Sequence, residues 1–244
     1  MPPPAPPVEP PPSGWDLGAA LARAGRDDVI ALGADLEPGT LLRAYRQGIF
    51  PMGLDGIPAM GWWSPVHRGV LESGALHVSR SLRRSCRHYR VTVDRAFAEV
   101  VAGCATTRTT GNWITRPIAA AYEQLHRLGW AHSIEVWDAR GALAGGLYGV
   151  ALGGLFAGES MFHTGTDASK VALAGLVDVL AAGGRTHLLD VQWRTEHLAS
   201  LGISEIPRAD YLARLPTLLA LADADWAGAF AAGSWAATTP PWAT

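Results

Sequence analysis

Three segments, Ile134-Glu135-Val136-Trp137, Leu143-Ala144-Gly145-Gly146-Leu147-Tyr148-Gly149-Val150 and Leu155-Phe156-Ala157-Gly158-Glu159-Ser160-Met161-Phe162, decide the fold. Each is a short run rich in apolar, β-branched or aromatic residues. The turn-prone Asp138-Ala139-Arg140-Gly141 separates the first two, and Gly153-Gly154 the last two. Such spacing predicts three consecutive antiparallel strands. Period-two alternation would put Ala157, Glu159 and Met161 on one face of the third strand, with Phe156, Gly158, Ser160 and Phe162 on the other.

Working outward, helical and extended patterns alternate. Downstream, Thr166 or Asp167 starts a longer helix ending at Gly183-Gly184. A strand Leu188-Leu189-Asp190-Val191-Gln192-Trp193 follows, then a short helix ending at Gly202. Upstream, Thr115 and Pro117 open a helix with Ile118, Tyr122 and Leu125 on one face and Gly129 at its close. Tyr89–Val93 reads as a strand, with Asp94 as the N-cap of a helix stopping at Gly103. Nearer the start, Pro38 and Gly48 frame a helix carrying Leu41, Leu42 and Tyr45. The result is a mixed α/β chain: a Pro-rich flexible tail (1–13), a small N-terminal domain (14–66), a larger mixed-sheet domain (67–216) and a low-complexity appendage (217–244) in which no function is expected.

Composition narrows the function classes. The 244 residues are 48% hydrophobic, enough for a substantial core, and the formal charge of -2 confines any nucleic-acid contact to a local patch. Every apolar run is interrupted well before the ~20 residues that cross a bilayer, as Asp178 does between Val171 and Ala182. Cys86 and Cys104 are too few for a disulfide framework or a structural zinc site and point to reduced thiols in the cytosol. The eight His show no helical metal-ligand spacing beside an acid, so no metal is expected. A basic patch is present: Arg68, Arg80, Arg83, Arg84, Arg87 and Arg90 share their segment with a single acid, Glu72. Trp62, Trp63 and Trp113, beside turn or polar residues, suit stacking on a nucleobase as well as they suit a core.

In the strand 188–193, alternation places Asp190 and Gln192 on one face. Spacing alone favours a paired core carboxyl and amide, while a solvated cleft would make them reactive groups. Glu159, among Ala, Gly and Met, marks either a pocket wall or a partly exposed sheet.

Taken together and in order, these segments resemble the leucyl/phenylalanyl-tRNA-protein transferase family. The likeness runs from about Ala31 to Leu215. It passes through Leu42-Arg43-Ala44-Tyr45-Arg46-Gln47-Gly48-Ile49-Phe50-Pro51, Trp62-Trp63-Ser64-Pro65, His132-Ser133-Ile134-Glu135-Val136-Trp137, Gly145-Gly146-Leu147-Tyr148-Gly149-Val150, Gly158-Glu159-Ser160-Met161-Phe162 and Asp190-Val191-Gln192. The resemblance implies a small N-terminal α/β domain before a larger acetyltransferase-like (GNAT) domain. It implies transfer of Leu or Phe, and sometimes Met, from aminoacyl-tRNA to proteins beginning with Arg or Lys, creating a degradation signal of the N-end rule. It also implies that no cofactor is used; separately, a monomer is expected. By motif position Asp190 and Gln192 would be catalytic. Trp63, Trp113, Leu147, Phe156, Glu159, Met161, Leu176 and Leu189 would bind the aminoacyl-adenosine end, and Arg80, Arg83, Arg84 and Arg87 the acceptor-stem phosphates. Leu147 and Leu176 stand where Met and Phe are expected in the family. Rival readings are an acetyl-CoA-dependent acetyltransferase, for which no pyrophosphate-binding turn is visible, an aminoacyl-tRNA-dependent cell-wall transferase, and a non-catalytic tRNA-binding protein.

Overall fold

The computed structural model describes residues 6–54, 56–106 and 113–229. The chain begins with α1 (Leu17–Arg23), whose N-cap Asp16 accepts from the Ala19 amide, and β1 (Val29–Leu32). Next come α2 (Pro38–Arg46), β2 (Phe50–Leu54) and β3 (Ile57–Trp63). Pro38 sits in the first turn of α2, where its missing N–H costs nothing. The three strands form an antiparallel sheet in the order β1-β3-β2.

A second sheet begins at β4 (His67–Glu72). It continues through α3 (Arg80–Cys86), β5 (Arg90–Val93), α4 (Phe97–Thr106), α5 (Arg116–Arg127), β6 (Ala131–Trp137), β7 (Leu143–Leu152) and β8 (Leu155–His163). After α6 (Ala168–Ala181) come β9 (Leu188–Gln192), α7 (Glu196–Ala199), β10 (Ser204–Pro207) and α8 (Arg208–Leu219). The order is β10-β4-β9-β8-β7-β6-β5. β6, β7 and β8 are consecutive antiparallel neighbours, whereas β8 and β9 run parallel, joined by the crossover helix α6. This is a mixed α/β fold with one large mixed sheet beside a smaller antiparallel one.

Because helices cover both faces, β7 is buried along almost its whole length and reads as a continuous apolar run. One face packs on α4, α5, α2 and α8 through Val100, Tyr122, Leu42 and Leu215. The opposite face packs on α6 and α3 through Leu176 and Leu82. Leu41, Tyr45 and Trp62 of the N-terminal part belong to the first of these clusters, so the two sheets share a core.

Several local expectations are corrected. β8 does not alternate throughout: Tyr148 pairs with Ser160 but Gly149 with Gly158, so Glu159 is the extra residue of a β-bulge. Alternation slips by one there, and Met161 joins the core face of Phe156 while Phe162 joins that of Ala157. Position 149 must be glycine for this to happen, since a Cβ would lie 2.3 Å from the Ala157 carbonyl oxygen. α4 runs through Gly103 to Thr106, the ring of Phe162 lying against that glycine. Asp94 is not a helix cap. It has φ 55° and its carboxylate accepts from the Ser133 amide and pairs with His132 Nδ1. Asp167 holds the N-cap position of α6 but makes no side-chain cap bond, its carboxylate going to Ser85 and Lys170.

The terminal segments make contacts that composition did not foretell. Val8 exchanges hydrogen bonds with the Leu128 carbonyl (2.8 Å) and Trp130 Nε1 (2.9 Å), and Glu9 pairs with both terminal nitrogens of Arg46. At the other end Asp223 accepts from the Gly153 amide and Trp226 stacks on His132. The expectations for residues 1–5 and 230–244 lie outside the described residues.

Candidate active site

The parallel ladder of β8 and β9 has only three rungs, Leu155–Leu188, Phe156–Leu189 and Ala157–Asp190. Beyond them β8 bulges at Glu159 while β9 shifts register against β4 between Gly69 and Val70. β9 then ends in a tight turn: Gln192 has φ 60° and the Trp193 amide donates back to the Val191 carbonyl at 2.8 Å. A non-glycine residue held in this left-handed region stores about 1–3 kcal/mol, a cost typical of functional sites. Gly69 permits the turn, because a Cβ there would stand 2.8 Å from the Arg194 nitrogen.

A cavity of about 430 Å³ occupies the opening between the parted strands. Its apolar walls come from Leu147 and Met161 on β7 and β8, Leu173 and Leu176 on α6, and Leu189 and Val191 on β9. Phe50, Met52, Trp113 and Trp193 line another side, and Thr195, His197 and Leu198 of the α7 region also border it. Against this apolar volume stand three buried polar side chains, Glu159, Ser160 and Gln192. The arrangement suits a ligand with an apolar body and a polar end.

Glu159 accepts from Tyr45 Oη (2.6 Å) on α2 and from Tyr122 Oη (2.7 Å) on α5. Burial pushes its carboxyl up to about 7 against the opposing pull of these two hydroxyls, with nearby Asp190 raising it further. Burial, and then the charge of Glu159, keep both tyrosines protonated well above their ordinary range, so they remain donors. Among the described residues neither the Ser160 hydroxyl nor the Gln192 side-chain nitrogen has a hydrogen-bond partner.

Asp190 is wholly buried and does not line the cavity. Its carboxylate binds Arg68 at two points, 2.7 Å to Nε and 2.6 Å to a terminal nitrogen, and accepts from Tyr211 Oη (2.8 Å) and the Gln192 backbone amide (2.9 Å). Burial works against the Arg68 charge, but the facing Asp190 more than compensates and its pKa is raised. Arg68 is also sandwiched by Phe50 and Tyr211. A carboxylate so committed can support Gln192, but cannot reach a ligand in the cavity.

The structure thus brings together Trp113, Leu147, Glu159, Met161, Leu176, Leu189 and Gln192 at one cavity. It does not bring Asp190, Trp63 or Phe156 to its surface. Trp63 stands behind Trp193, edge-on at 5.7 Å, with its Nε1 donating to the Met52 carbonyl. Phe156 is fully buried and packs near Trp226. Arg80, Arg83 and Arg84 on α3, and Arg87 at its end, are exposed, and none forms an ion pair among the described residues. Since α3 packs on α6, the arginines and the cavity flank the same helix. Arg68 leaves that patch for the core. Sequence reasoning missed Ser160 and the tyrosine pair; a tyrosine on an otherwise apolar helix face, needing a partner for its hydroxyl, was the available signal. Among the described residues no group of three or more His, Cys, Asp or Glu is arranged to hold a metal, and no helix is long and apolar enough to cross a membrane.

Fold and cavity therefore define a mixed-sheet protein with a deep apolar slot between two diverging strands. The profile described as "Leucyl/phenylalanyl-tRNA protein transferase" matches residues 70–216, and that of the N-terminal domain of the same family residues 34–66. Proteins called leucyl/phenylalanyl-tRNA--protein transferase are similar over most of their length. One from Stutzerimonas stutzeri is 54% identical over 187 residues, covering 75% of this chain and 81% of that protein. One from Anaeromyxobacter dehalogenans is 51% identical over 203 residues (81% and 86%), and one from Citrobacter koseri 49% over 193 residues (78% and 81%). The chain belongs to the leucyl/phenylalanyl-tRNA protein transferase family.

Proposed function

We propose that this enzyme moves Leu or Phe, with Met as a further donor, from aminoacyl-tRNA to the N-terminal amine of proteins beginning with Arg or Lys. It would act as a cytosolic monomer and create a degradation signal of the N-end rule. The observation that carries the reading is the apolar cavity with Glu159, Ser160 and Gln192 at its wall. In this reading the aminoacyl side chain lies among Leu147, Met161, Leu176 and Leu189, and Trp113 packs against the terminal adenosine, with Trp63 supporting it from behind Trp193. Arg80, Arg83, Arg84 and Arg87 hold acceptor-stem phosphates, since guanidinium forks match phosphate geometry.

The ester already stores the energy of the new peptide bond, so the protein must align two substrates and manage a proton. The amine nitrogen attacks the ester carbonyl carbon, a C–N bond forms, and the C–O bond to the ribose breaks. The amine sheds one proton and the departing ribose oxygen takes one up. Glu159, whose carboxyl is poised near neutrality in the cavity, is suited to relay it. Asp190 acts one step removed: it fixes Arg68 and the Gln192 amide, and so holds the strained turn that presents the Gln192 side chain.

The test is direct. Mix the protein with leucyl-tRNA or phenylalanyl-tRNA and a peptide beginning with Arg, and record its mass. A gain of one Leu or Phe residue at the N-terminus is expected; an unmodified peptide, or a gain of acetyl from acetyl-CoA, contradicts the reading.

A further inference from the structure

Buried polar side chains are nearly always paired, and each exception calls for an explanation. One cavity holds two. Ser160 is 8% exposed and Gln192 7%, yet neither Ser160 Oγ nor Gln192 Nε2 has a partner among the described residues. A buried donor left unmade costs about 1–3 kcal/mol, and Gln192 adds backbone strain at φ 60°. The two residues line the cavity from the two strands that part beyond Ala157 and Asp190. Ser160 follows the bulged Glu159, so the same irregularity sets both residues. Glu159 accepts from two tyrosines, whereas Ser160 and Gln192 offer unused donors beside the apolar slot.

We propose that Ser160 is a catalytic residue whose hydroxyl, together with the side-chain amide of Gln192, donates to the carbonyl oxygen of the bound aminoacyl ester. This rests on the transferase reading. As the nitrogen lone pair forms the C–N bond, the carbonyl π pair moves onto oxygen, giving a tetrahedral anion held by the two donors. The pair then returns, the bond to the ribose oxygen breaks, and that oxygen leaves with the proton shed by the amine. Ser160 keeps its own proton and forms no covalent bond. Because the full negative charge exists only in the intermediate, these donors act mainly on kcat.

Ser160→Ala in the full chain, assayed with leucyl-tRNA and an Arg-initiated peptide, tests this. Expected are a fall in kcat of about 10²–10³-fold, as for loss of one oxyanion donor, a nearly unchanged KM for aminoacyl-tRNA, and a thermal midpoint equal to or above wild type, because an unpaired group is removed. Ser160→Cys, a weaker donor of similar size, should fall between the two. The assignment is overturned by a kcat within twofold of wild type, by a rise in KM alone, or by a lowered midpoint that accounts for the lost activity. A Leu or Phe adduct on the enzyme in intact-protein mass spectra would make Ser160 a nucleophile and overturn it equally. Absence of transfer by the wild-type protein would instead defeat the transferase reading and take this assignment with it.

Discussion

Replacing Asp190 by Asn tests the architecture behind Gln192. The change keeps the shape but leaves one acceptor oxygen where the Gln192 backbone amide uses Oδ1 and Tyr211 uses Oδ2, and it removes the charge facing Arg68. Arg68 is 1% exposed and meets Asp190 through two contacts of 2.6 and 2.7 Å, so water cannot replace its partner. Breaking one side of such a buried pair costs about 3–5 kcal/mol, a large share of the ~5–15 kcal/mol that stabilises a typical domain. Arg68→Met should cost a comparable amount, through the uncompensated carboxylate. The double variant Arg68→Met/Asp190→Asn should be less destabilised than the two singles added together, by 1 kcal/mol or more, because neither charge is then left alone. Urea unfolding of the four proteins measures this cycle. Single variants within 1 kcal/mol of wild type, or strictly additive losses, would refute the claim that Asp190 works through Arg68. The same reasoning makes activity loss in Asp190→Ala uninformative unless folding is measured beside it.

Glu159 carries a pH signature. Its carboxyl is raised from 4.5 to about 7 in the folded protein, mainly by burial, so the protonated form is favoured. Stability from this group is fully present below pH 4.5 and is lost as pH rises through 7, a difference of roughly 3 kcal/mol by linkage. Glu159→Gln should remove that dependence, seen as a wild-type-minus-variant stability difference that changes between pH 4.5 and 8; a flat difference would argue against the raised value. Gly149→Ala should destabilise by about 1–3 kcal/mol as its methyl strikes the Ala157 carbonyl, and should depress transfer by disturbing the bulge; a fully active, equally stable variant would show that the bulge tolerates a side chain there. Arg80→Ala/Arg84→Ala should leave folding intact, weaken tRNA binding and flatten its salt slope by about two; an unaltered slope would remove α3 from the RNA-binding surface.

Local signals rendered the scaffold legible. Gly153-Gly154 joins β7 to β8 and Pro38 opens α2, because such turns and helix starts depend on residues a few positions apart. What remained hidden depends on partners distant in the chain. The bulge at Glu159 appears only when β8 is laid against β7, and it alters which neighbours share a face. Arg68 looked like one more member of a basic run, since its partner Asp190 is 122 positions away. Alternation placed Asp190 and Gln192 on one face of an apolar strand, but the turn at Gln192 sends one side chain to the core and the other to the cavity. Motif resemblance named seven of the nineteen residues that line the cavity, without revealing that Asp190, Trp63 and Phe156 do not reach it.

The proposed function requires the opening between β8 and β9 to receive the aminoacyl group. The structure of the protein with a non-hydrolysable phenylalanyl-adenosine decides this. The phenyl ring is expected within about 4.5 Å of Leu147, Met161, Leu176 and Leu189, with the carbonyl end toward Ser160 and Gln192. A ring bound elsewhere, with this cavity still empty, would contradict it.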